Sequence, residues 1–343
     1  MVTIADVARR AGVSSSTVSY VLSGKRTISE DTRDRVRAAV DELGYRPNAS
    51  ARALASSRVN ALALVAPFRA DNNVPVLLEF VASIAATARE FDHDVLLITQ
   101  DEGAEGVLRV RDSSLVDAAI VMDLEMQDPR LPVLRNSGLP CVLIGYPDDP
   151  GPLPCVDLDM YRAGAHAVNH LADLGHRTIA MLGSPDAVYR RSSTYAVRFA
   201  SGFEDAARSR GIRAHWRALE PHHEAAVAGL GSVLDERPET TGLIVHNEAV
   251  LPALLVALEA RGLRVPEDIS VIALCPSDIA AQTRVPLTHI AVPAADIGRI
   301  AVETVLRSVE GDSAAEIRLL TPHLTSLSST APPRPLATTK DPR

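Results

Sequence analysis

The sequence predicts an α/β protein in which a small all-helical head with a helix-turn-helix precedes a body of parallel sheets wrapped by helices. Residues 1–45 contain three short helical patterns, and from residue 61 buried-strand runs alternate with longer helical patterns. Charge divides the chain at the same place. Residues 1–60 carry ten Arg and Lys against six Asp and Glu, a net charge of +4. Because the whole chain has a net charge of −8, residues 61–343 have a net charge of −12. A basic head on an acidic body is typical of a local contact with nucleic acid.

The first predicted helix has a start signal and a stop signal. Thr3 can cap its N-terminus, and Asp6, three residues later, provides a weaker version of the capping box. Gly12 can adopt the left-handed conformation that ends a helix. Between these signals, one apolar stripe follows the spacing i, i+3, i+4 and i+7 and consists of Ile4, Val7, Ala8 and Ala11.

Two further helices follow after short turns. Ser14 can cap the second helix, whose apolar stripe is Val18, Val21 and Leu22. Ser29 begins the third, which ends at Gly44 and has the stripe Val36, Val40 and Leu43. A helix, short turn and helix in this order place the second helix in the major groove of DNA. A small helical bundle without a DNA-binding role has the same local patterns and is the alternative.

The exposed start of the second helix supplies the candidates for DNA contact. Ser15, Ser16 and Tyr20 would face the bases, with Thr17 near a phosphate. Serine discriminates weakly between bases, while a tyrosine adds a hydroxyl contact or an apolar contact with a thymine methyl. We also include Thr3 and Ser14 in this DNA-binding set. For each residue the alternative is a solvated helix surface.

The motifs of the head and several downstream segments resemble the LacI/GalR family, the relatives of the lactose and galactose repressors. The resemblance covers about residues 2–330. In the head it rests on VTIADVA (2–8), AGVS (11–14), TVS (17–19) and LGYRPN (43–48). Downstream it rests on HL (170–171), LGHR (174–177), GF (202–203), VPEDISVI (265–272) and PLT (286–288).

This resemblance implies a transcriptional regulator, in most cases a repressor, that binds double-stranded operator DNA as a homodimer. Its affinity for DNA would be controlled by a small effector, a sugar or a related polar metabolite. The resemblance also implies that residues 48–56 form a hinge helix only on DNA, with Leu54 wedged into the central minor-groove step. Asn48 can cap that helix, and Ala51 is a further DNA-binding candidate. Locally, Leu54 could equally make a small core contact.

These observations divide the chain into four parts. We expect a helix-turn-helix domain at 1–46, a hinge at 47–58, and an effector-binding and dimerisation domain at 59–330. Residues 331–343 are rich in Pro and Thr and lack periodicity, so we expect a disordered tail. This tail has no leucine heptads of the kind that form a tetramer.

The body has the pattern of parallel sheets wrapped by helices. Strands are predicted at 61–66, 94–99, 118–122, 141–144, 178–182, 242–245 and 270–274, and helices at 76–91, 161–174 and 251–261. The resemblance sharpens this to two doubly wound lobes like those of a periplasmic sugar-binding protein, with three crossings between them. Ligands of such folds bind in the cleft, at the carboxyl ends of the strands.

Candidates for effector binding follow the predicted strands, namely Phe68, Arg69, Asp123, Tyr146, Asn247 and Glu248. The resemblance adds Arg198 and supports Asn247, because relatives contact their effectors through an Arg and an Asn at these places. The chain also departs from the family pattern. Arg198 lies four residues before Gly202 rather than three, and Glu248 replaces the usual Asp. Cys275 stands where sugar-binding relatives have an Asp that binds hydroxyls, which weakens the expectation of a simple hexose effector.

The remaining features argue against other functions. His166 and His170 have the spacing of a metal pair, but no further ligand accompanies them, so we expect no metal and no cofactor. The three cysteines, Cys141, Cys155 and Cys275, are interpreted as free thiols. Because no stretch resembles a signal peptide or a membrane span, we expect a cytoplasmic, nucleoid-associated protein. The competing interpretations are a solute-binding module for uptake and an α/β enzyme, although no acid–base or nucleophile set is recognisable.

Overall fold

The computed structural model describes residues 2–23, 26, 28–45, 58–71, 73–312 and 314–334. The chain forms two compact units, Met1–Val59 and Asn60–Arg343, which correspond to the expected head and body and are described separately here. Three DNA-contact candidates of the predicted hinge, Asn48, Ala51 and Leu54, lie outside the described residues. Among the described residues, no helix has both the length and the apolar character that a membrane crossing requires.

The head contains the three predicted helices, α1 (Ile4–Ala11), α2 (Ser15–Ser23) and α3 (Glu30–Leu43). The capping box at Thr3 and Asp6 is present in α1. Gly12 and Gly44 end α1 and α3 in the left-handed region, at φ of 65° and 58°. The local signals in this part of the sequence therefore predicted the observed helix ends.

The core of the head contains Ala39 and Tyr45, which the predicted stripes lacked, and leaves out Leu22, which they contained. The buried cluster consists of Val7, Ala8, Ala11, Val18, Val36, Ala39 and Tyr45. Leu22, predicted to lie on the buried stripe of α2, is instead 40% exposed. Of the predicted stripe of α2, Val18 belongs to this cluster and Val21 packs against it.

The body begins with the elements of the first lobe. In chain order these are β1 (Ala61–Val65), α4 (Val74–Glu90), β2 (Asp94–Ile98), α5 (Gly103–Asp112), β3 (Ala118–Val121), α6 (Leu131–Asn136), β4 (Cys141–Ile144) and β5 (Cys155–Leu158). Near-continuous apolar strands such as β3 and β4 are buried along their whole length, as expected for parallel strands covered on both faces.

The second lobe follows from α7 (Met160–Asp173). Its elements are β6 (Thr178–Gly183), α8 (Asp186–Arg190), α9 (Thr194–Ser209), β7 (Arg213–Ala218), α10 (His223–Glu236), β8 (Gly242–Val245), a short 3-10 turn (Glu248–Val250), α11 (Leu251–Ala260), β9 (Ser270–Leu274), α12 (Ser277–Gln282) and β10 (Thr288–Ile290). The chain then runs through α13 (Ala294–Val309), β11 (Ile317–Leu320) and β12 (Leu324–Thr325).

The strands form two six-stranded sheets. Their orders are β11-β5-β4-β3-β1-β2 and β12-β10-β9-β8-β6-β7. All neighbouring strands are parallel except β10 and β12, which are antiparallel. Because β11 returns to the first sheet and β12 to the second, the chain crosses between the lobes three times, as the resemblance implied. The seven predicted strands are present, whereas β5, β7, β10, β11 and β12 were not predicted, since they are short or mix polar with apolar residues.

Helices α7 and α9 pack with their backbones in contact. A Cβ atom added at Gly202 would lie 1.9 Å from the carbonyl oxygen of Tyr161, and one at Gly164 would lie 2.2 Å from that of Phe199. Glycine is needed at both positions because any side chain would separate the helices. This contact fixes the start of α9 beside the cleft.

Four residues of the predicted disordered tail, 331–334, are described, and they contact the segment at the start of β9. Residues 335–343 of that tail lie outside the described residues. The backbone N–H of Ala331 donates to the Ser270 hydroxyl at 3.0 Å, and Arg334 pairs with Asp268 at 2.7 Å. A composition rich in Pro and Thr did not reveal these contacts, which depend on partners more than 60 residues away in sequence.

Candidate functional site

The exposed side of α2 is the candidate DNA-contact surface of the head. Ser15, Ser16 and Tyr20 are exposed there, while Val18 is fully buried on the opposite side. The guanidinium carbon of Arg26 lies 5.8 Å from the centroid of the Tyr20 ring. The exposed side of α2 therefore presents hydroxyl groups next to a positive charge, a combination suited to a DNA groove.

The other three predicted contact residues of the head stabilise helix starts. The Ser14 hydroxyl accepts a hydrogen bond from the Thr17 backbone N–H at 3.1 Å and lies 2.9 Å from the Thr17 hydroxyl. The Thr3 hydroxyl donates to the Asp6 carboxylate at 2.7 Å. The starts of α1 and α2 are therefore well ordered, and unpaired N–H groups at helix starts are favourable partners for phosphate.

A cavity of about 180 Å³ lies between the two lobes of the body. Its polar wall comes mainly from residues that follow or end parallel strands, namely Asp71, Asn73, Asp123, Asp157, Ser184, His246, Asn247, Glu248 and Cys275. Its apolar wall includes Val76, Leu77, Phe80, Met122, Leu124, Ile144, Met160, Leu274 and Val292. The cavity thus occupies the cleft where doubly wound folds bind ligands.

Polar contacts join the two lobes at this cavity. The Asn73 side-chain amide, from the first lobe, donates to the Glu248 carboxylate of the second at 2.5 Å. Arg191, which follows α8 in the second lobe, forms an ion pair with Asp71 of the first. Its other terminal nitrogen lies 3.9 Å from the Asp123 carboxylate. Both residues of the Arg191–Asp71 pair are mostly buried, so the pair is little screened by solvent.

Two carboxyl groups in the cavity wall that are shielded from solvent form no ion pair with a basic side chain of the described residues. Asp157 of β5 is 6% exposed and accepts a hydrogen bond from the Leu158 backbone N–H at 2.8 Å. Burial raises the pKa of Asp157 to about 7, although the charge of Arg198 acts in the opposite direction. Burial also raises the pKa of Glu248 to about 7, against the opposing effect of its hydrogen bond from Asn73. Both acids therefore exchange protons near neutral pH.

One ring nitrogen of His246 is buried without a hydrogen-bond partner among the described residues. Its ring is 2% exposed and stacks on Phe199, with centroids 4.3 Å apart. Its Nδ1 atom lies 3.2 Å from the Ser184 hydroxyl. Burial lowers the pKa of His246 to about 3, so the ring is neutral. Its Nε2 atom is buried without a hydrogen-bond partner among the described residues, which is costly unless a ligand supplies one.

Four of the eight predicted effector-binding residues line the cavity, namely Asp123, Asn247, Glu248 and Cys275. The Asn247 side-chain amide donates to the Leu219 carbonyl at 2.8 Å, which fixes its orientation. Burial raises the pKa of the Cys275 thiol to about 12, so this side chain is neutral. All three cysteines are buried free thiols, as predicted.

The other four predicted residues do not line the cavity. Phe68 is 39% exposed, and Arg69 is engaged by Asp123 and by Asp101, the latter at 2.7 Å. Arg198 donates from Nε to the Tyr146 carbonyl at 2.7 Å, and its guanidinium stacks 4.2 Å from the centroid of that ring. One residue further along α9, three residues before Gly202, Phe199 stacks on His246 of the cavity wall.

The prediction missed Asp157, His246, Asp71 and Asn73. An acid within the apolar run Cys155–Leu158 was a usable signal, but that run had not been identified as a strand. His246 directly precedes a predicted residue and could have been included. His170 has a structural contact, since its Nε2 lies 3.0 Å from the Thr330 hydroxyl. In the described part of the chain, no group of three His, Cys, Asp or Glu side chains is placed to hold a metal ion.

Comparison with known proteins assigns both units. Residues 3–48 match the profile of bacterial regulatory proteins of the lacI family, and residues 168–330 match a periplasmic binding protein-like domain. The transcriptional regulator DegA of Bacillus subtilis is 30% identical over 340 residues, covering 96% of this chain and 98% of DegA. The chain belongs to the lacI family of bacterial regulatory proteins. It is therefore a helix-turn-helix DNA-binding transcriptional regulator, and the interpretation as a solute-binding module for uptake is not supported.

Solved structures of lacI-family relatives share the fold. The Lac repressor dimer bound to operator and the anti-inducer ONPF is 26% identical, with a TM-score of 0.84 over 96% of this chain and 99% of that chain. The transcriptional regulator CelR in complex with cellobiose is 27% identical, with a TM-score of 0.69 over 96% and 100% of the two chains. The named relatives are regulators of transcription rather than enzymes.

Proposed function

We propose that this lacI-family protein is a homodimeric repressor whose affinity for operator DNA is controlled by a small molecule bound in the interlobe cavity. The observation that carries the proposal is the combination of the exposed hydroxyl-bearing side of α2 with a ligand-sized cavity at the strand ends. The two sites belong to separate units of the chain. Such a protein would act in the cytoplasm, on the nucleoid, and would carry out no catalytic step.

On the DNA side, Ser15, Ser16 and Tyr20 would contact bases, and the starts of α1 and α2, with Thr3, Ser14 and Thr17, would contact phosphates. Two heads in a dimer would then read the two halves of a pseudo-palindromic operator. In the hinge, Asn48 would cap a helix that forms on DNA, while Ala51 and Leu54 would enter the minor groove, the leucine as a wedge.

On the effector side, Asp123, Asn247, Glu248 and Cys275 would contact the ligand directly. Arg69 would act through Asp123, which it neutralises, and Arg198 would act through Tyr146, which it holds by stacking. An effector that changes the contacts joining the lobes would shift the population between two arrangements of the body. Phe68 and Tyr146, which follow β1 and β4, would support the cleft without contacting the ligand.

The DNA proposal is tested by selecting binding sites from random double-stranded DNA with the full-length protein. We expect enrichment of a pseudo-palindrome bound by a dimer, as measured by mobility shift and by mass in solution. Replacing Ser16 and Tyr20 together with Ala should weaken specific binding by about 1–3 kcal/mol per lost base contact. The matched control is Ala38→Ser, on the exposed side of α3. Selection without any enriched sequence would refute the proposed function.

The hinge proposal needs its own variant. Leu54→Ala should weaken binding to the selected operator by about 1–3 kcal/mol while leaving weak binding to random DNA unchanged, because the wedge acts only on a kinked site. An equal loss on both DNAs would contradict the wedge role.

A further inference from the structure

The cavity wall is acidic in a way that the proposed function does not explain. Among its lining residues are the five carboxyl groups of Asp71, Glu79, Asp123, Asp157 and Glu248, whereas no Lys or Arg is among them. Ion pairs neutralise two of these groups, since Asp71 pairs with Arg191 and Asp123 with Arg69. Glu79 is exposed at the edge. The remaining two, Asp157 and Glu248, therefore face the cavity without a basic partner among the described residues.

Asp157 is the deeper of these two acids. It projects from β5, in a strand that is otherwise apolar and buried along its length. Its described hydrogen bond comes from the neighbouring Leu158 backbone N–H and involves only one carboxylate oxygen. The guanidinium of Arg198 is committed to the carbonyls of Tyr146 and Pro147 and does not form an ion pair with Asp157 in the described part of the chain. A buried carboxyl group of this kind stays protonated unless a cation reaches it, and a cation stabilises its ionised form.

The opposite wall of the cavity supplies a second, independent indication of a ligand. His246 is 2% exposed, and its Nε2 atom has no hydrogen-bond partner among the described residues. The neutral imidazole can accept or donate one further hydrogen bond there. Around these polar groups the wall is apolar, with Phe80, Met160 and Val292 among its residues. The cavity thus combines one buried carboxyl group without a basic partner among the described residues, one unused imidazole nitrogen and an apolar surface.

We propose that the effector of this protein is a small organic amine, bound in protonated form, and that Asp157 is its counter-ion. The proposal rests on the proposed function, because it specifies the class of molecule that occupies the effector cavity. The ammonium group would bind the Asp157 carboxylate by a charge-assisted hydrogen bond. The body of the molecule would pack against the apolar wall and bond to His246 Nε2. A neutral sugar or an organic acid would offer no positive charge to the ionised form of Asp157.

The test compares amines with alcohols of the same skeleton. Full-length protein is titrated by calorimetry with three pairs, glucamine and sorbitol, cyclohexylamine and cyclohexanol, and phenethylamine and phenethyl alcohol. The titrations are made at about pH 8, where a carboxyl group of pKa about 7 is ionised and these amines are still protonated. We expect at least one amine to bind about tenfold more tightly than its alcohol, the scale of one charge-assisted hydrogen bond.

Asp157→Asn should reduce this preference for the amine to about twofold or less, because the amide has the same shape but no charge. The matched control is Asp148→Asn, an exposed acid of the same lobe, which should keep the full preference. If no amine binds better than its alcohol, or if Asp157→Asn keeps the preference, the proposal is overturned. The paired titrations need no variant, so they decide the question even if Asp157→Asn does not fold.

Operator binding measured on the same preparation separates the two proposals. A protein that binds the selected DNA but does not prefer amines retains its proposed function and loses the amine effector. A protein that selects no DNA sequence loses the proposed function, whatever its cavity binds.

Discussion

Asp157 should make the body less stable as the pH rises, and Asp157→Asn should remove this effect. Burial raises the pKa of Asp157 from its usual 3.8 to about 7 in the folded protein. Between these two values the folded state holds a proton that the unfolded state has released. Folding stability therefore falls as the pH increases through this window, and it stops changing above the folded pKa.

The magnitude follows from the pKa difference. Each unit of difference corresponds to about 1.4 kcal/mol, and the group is half ionised at pH 7, so the unmodified protein should lose about 2 kcal/mol between pH 5 and pH 7 from this residue. Glu248 acts in the same direction and the neutral His246 in the opposite direction below its unfolded pKa. Both contributions are shared by protein and variant, so they cancel in the difference between them.

The assay is urea unfolding of the full-length protein, of Asp157→Asn and of the exposed control Asp148→Asn, at several pH values from 5 to 8. The free energy of unfolding of Asp157→Asn, relative to the unmodified protein, should rise by about 2–3 kcal/mol from pH 5 to pH 7. The control should follow the unmodified protein. A difference between Asp157→Asn and the unmodified protein that does not change with pH would refute the raised pKa of this buried carboxyl group.

Three further predictions concern packing, the contact between lobes and DNA. Gly202→Ala should destabilise the protein by about 2 kcal/mol or more in thermal unfolding, because its Cβ would meet the Tyr161 carbonyl at 1.9 Å. The control is Gly231→Ala, whose Cβ meets only the end of a flexible arginine side chain. Its free energy of unfolding should change by less than about 1 kcal/mol. Asp71→Asn should lower the free energy of unfolding by about 2 kcal/mol or more, because it breaks a mostly buried ion pair between the lobes. Asp186→Asn should lower it by less than about 1 kcal/mol, because the side chains of its ion pair are 72% and 59% exposed. Equal losses in either pair of variants would contradict the corresponding contact. The logarithm of the operator-binding constant should fall with the logarithm of the salt concentration at a slope of about −5 or steeper, because about six phosphate contacts form per dimer. A slope near zero would exclude a phosphate-binding head.

Much of the fold was predictable because its signals are local. Thr3, Asp6 and Gly12 determine the ends of α1 through contacts within a few residues, and Gly44 does the same for α3. Long apolar runs identified the central strands. The strands that were missed, such as β7 and β11, lie at or near the sheet edges, where exposed polar residues remove the pattern on which the prediction depends.

The site was predictable only in part, since strand ends indicate where a cleft lies but not which side chains point into it. Asp123, Asn247, Glu248 and Cys275 follow strands and line the cavity, whereas Arg69 and Tyr146 also follow strands and do not. The side chains of consecutive residues after a strand point in different directions, which depend on the backbone conformation of the loop. That conformation depends in turn on the residues that pack around the loop.

By itself, the sequence determined the helix-turn-helix head, the two-lobed α/β class and the family of regulators, because these depend on short motifs and on periodicity. Only the tertiary structure decided the character of the cavity. It turned Arg198 onto Tyr146, where its charge is held by stacking, and it placed Asp157 in the wall without a basic partner. The charge of a cleft depends on which side chains from distant parts of the sequence lie beside one another. The surroundings of Arg198 and Asp157 are of this kind, so no local sequence pattern predicts them.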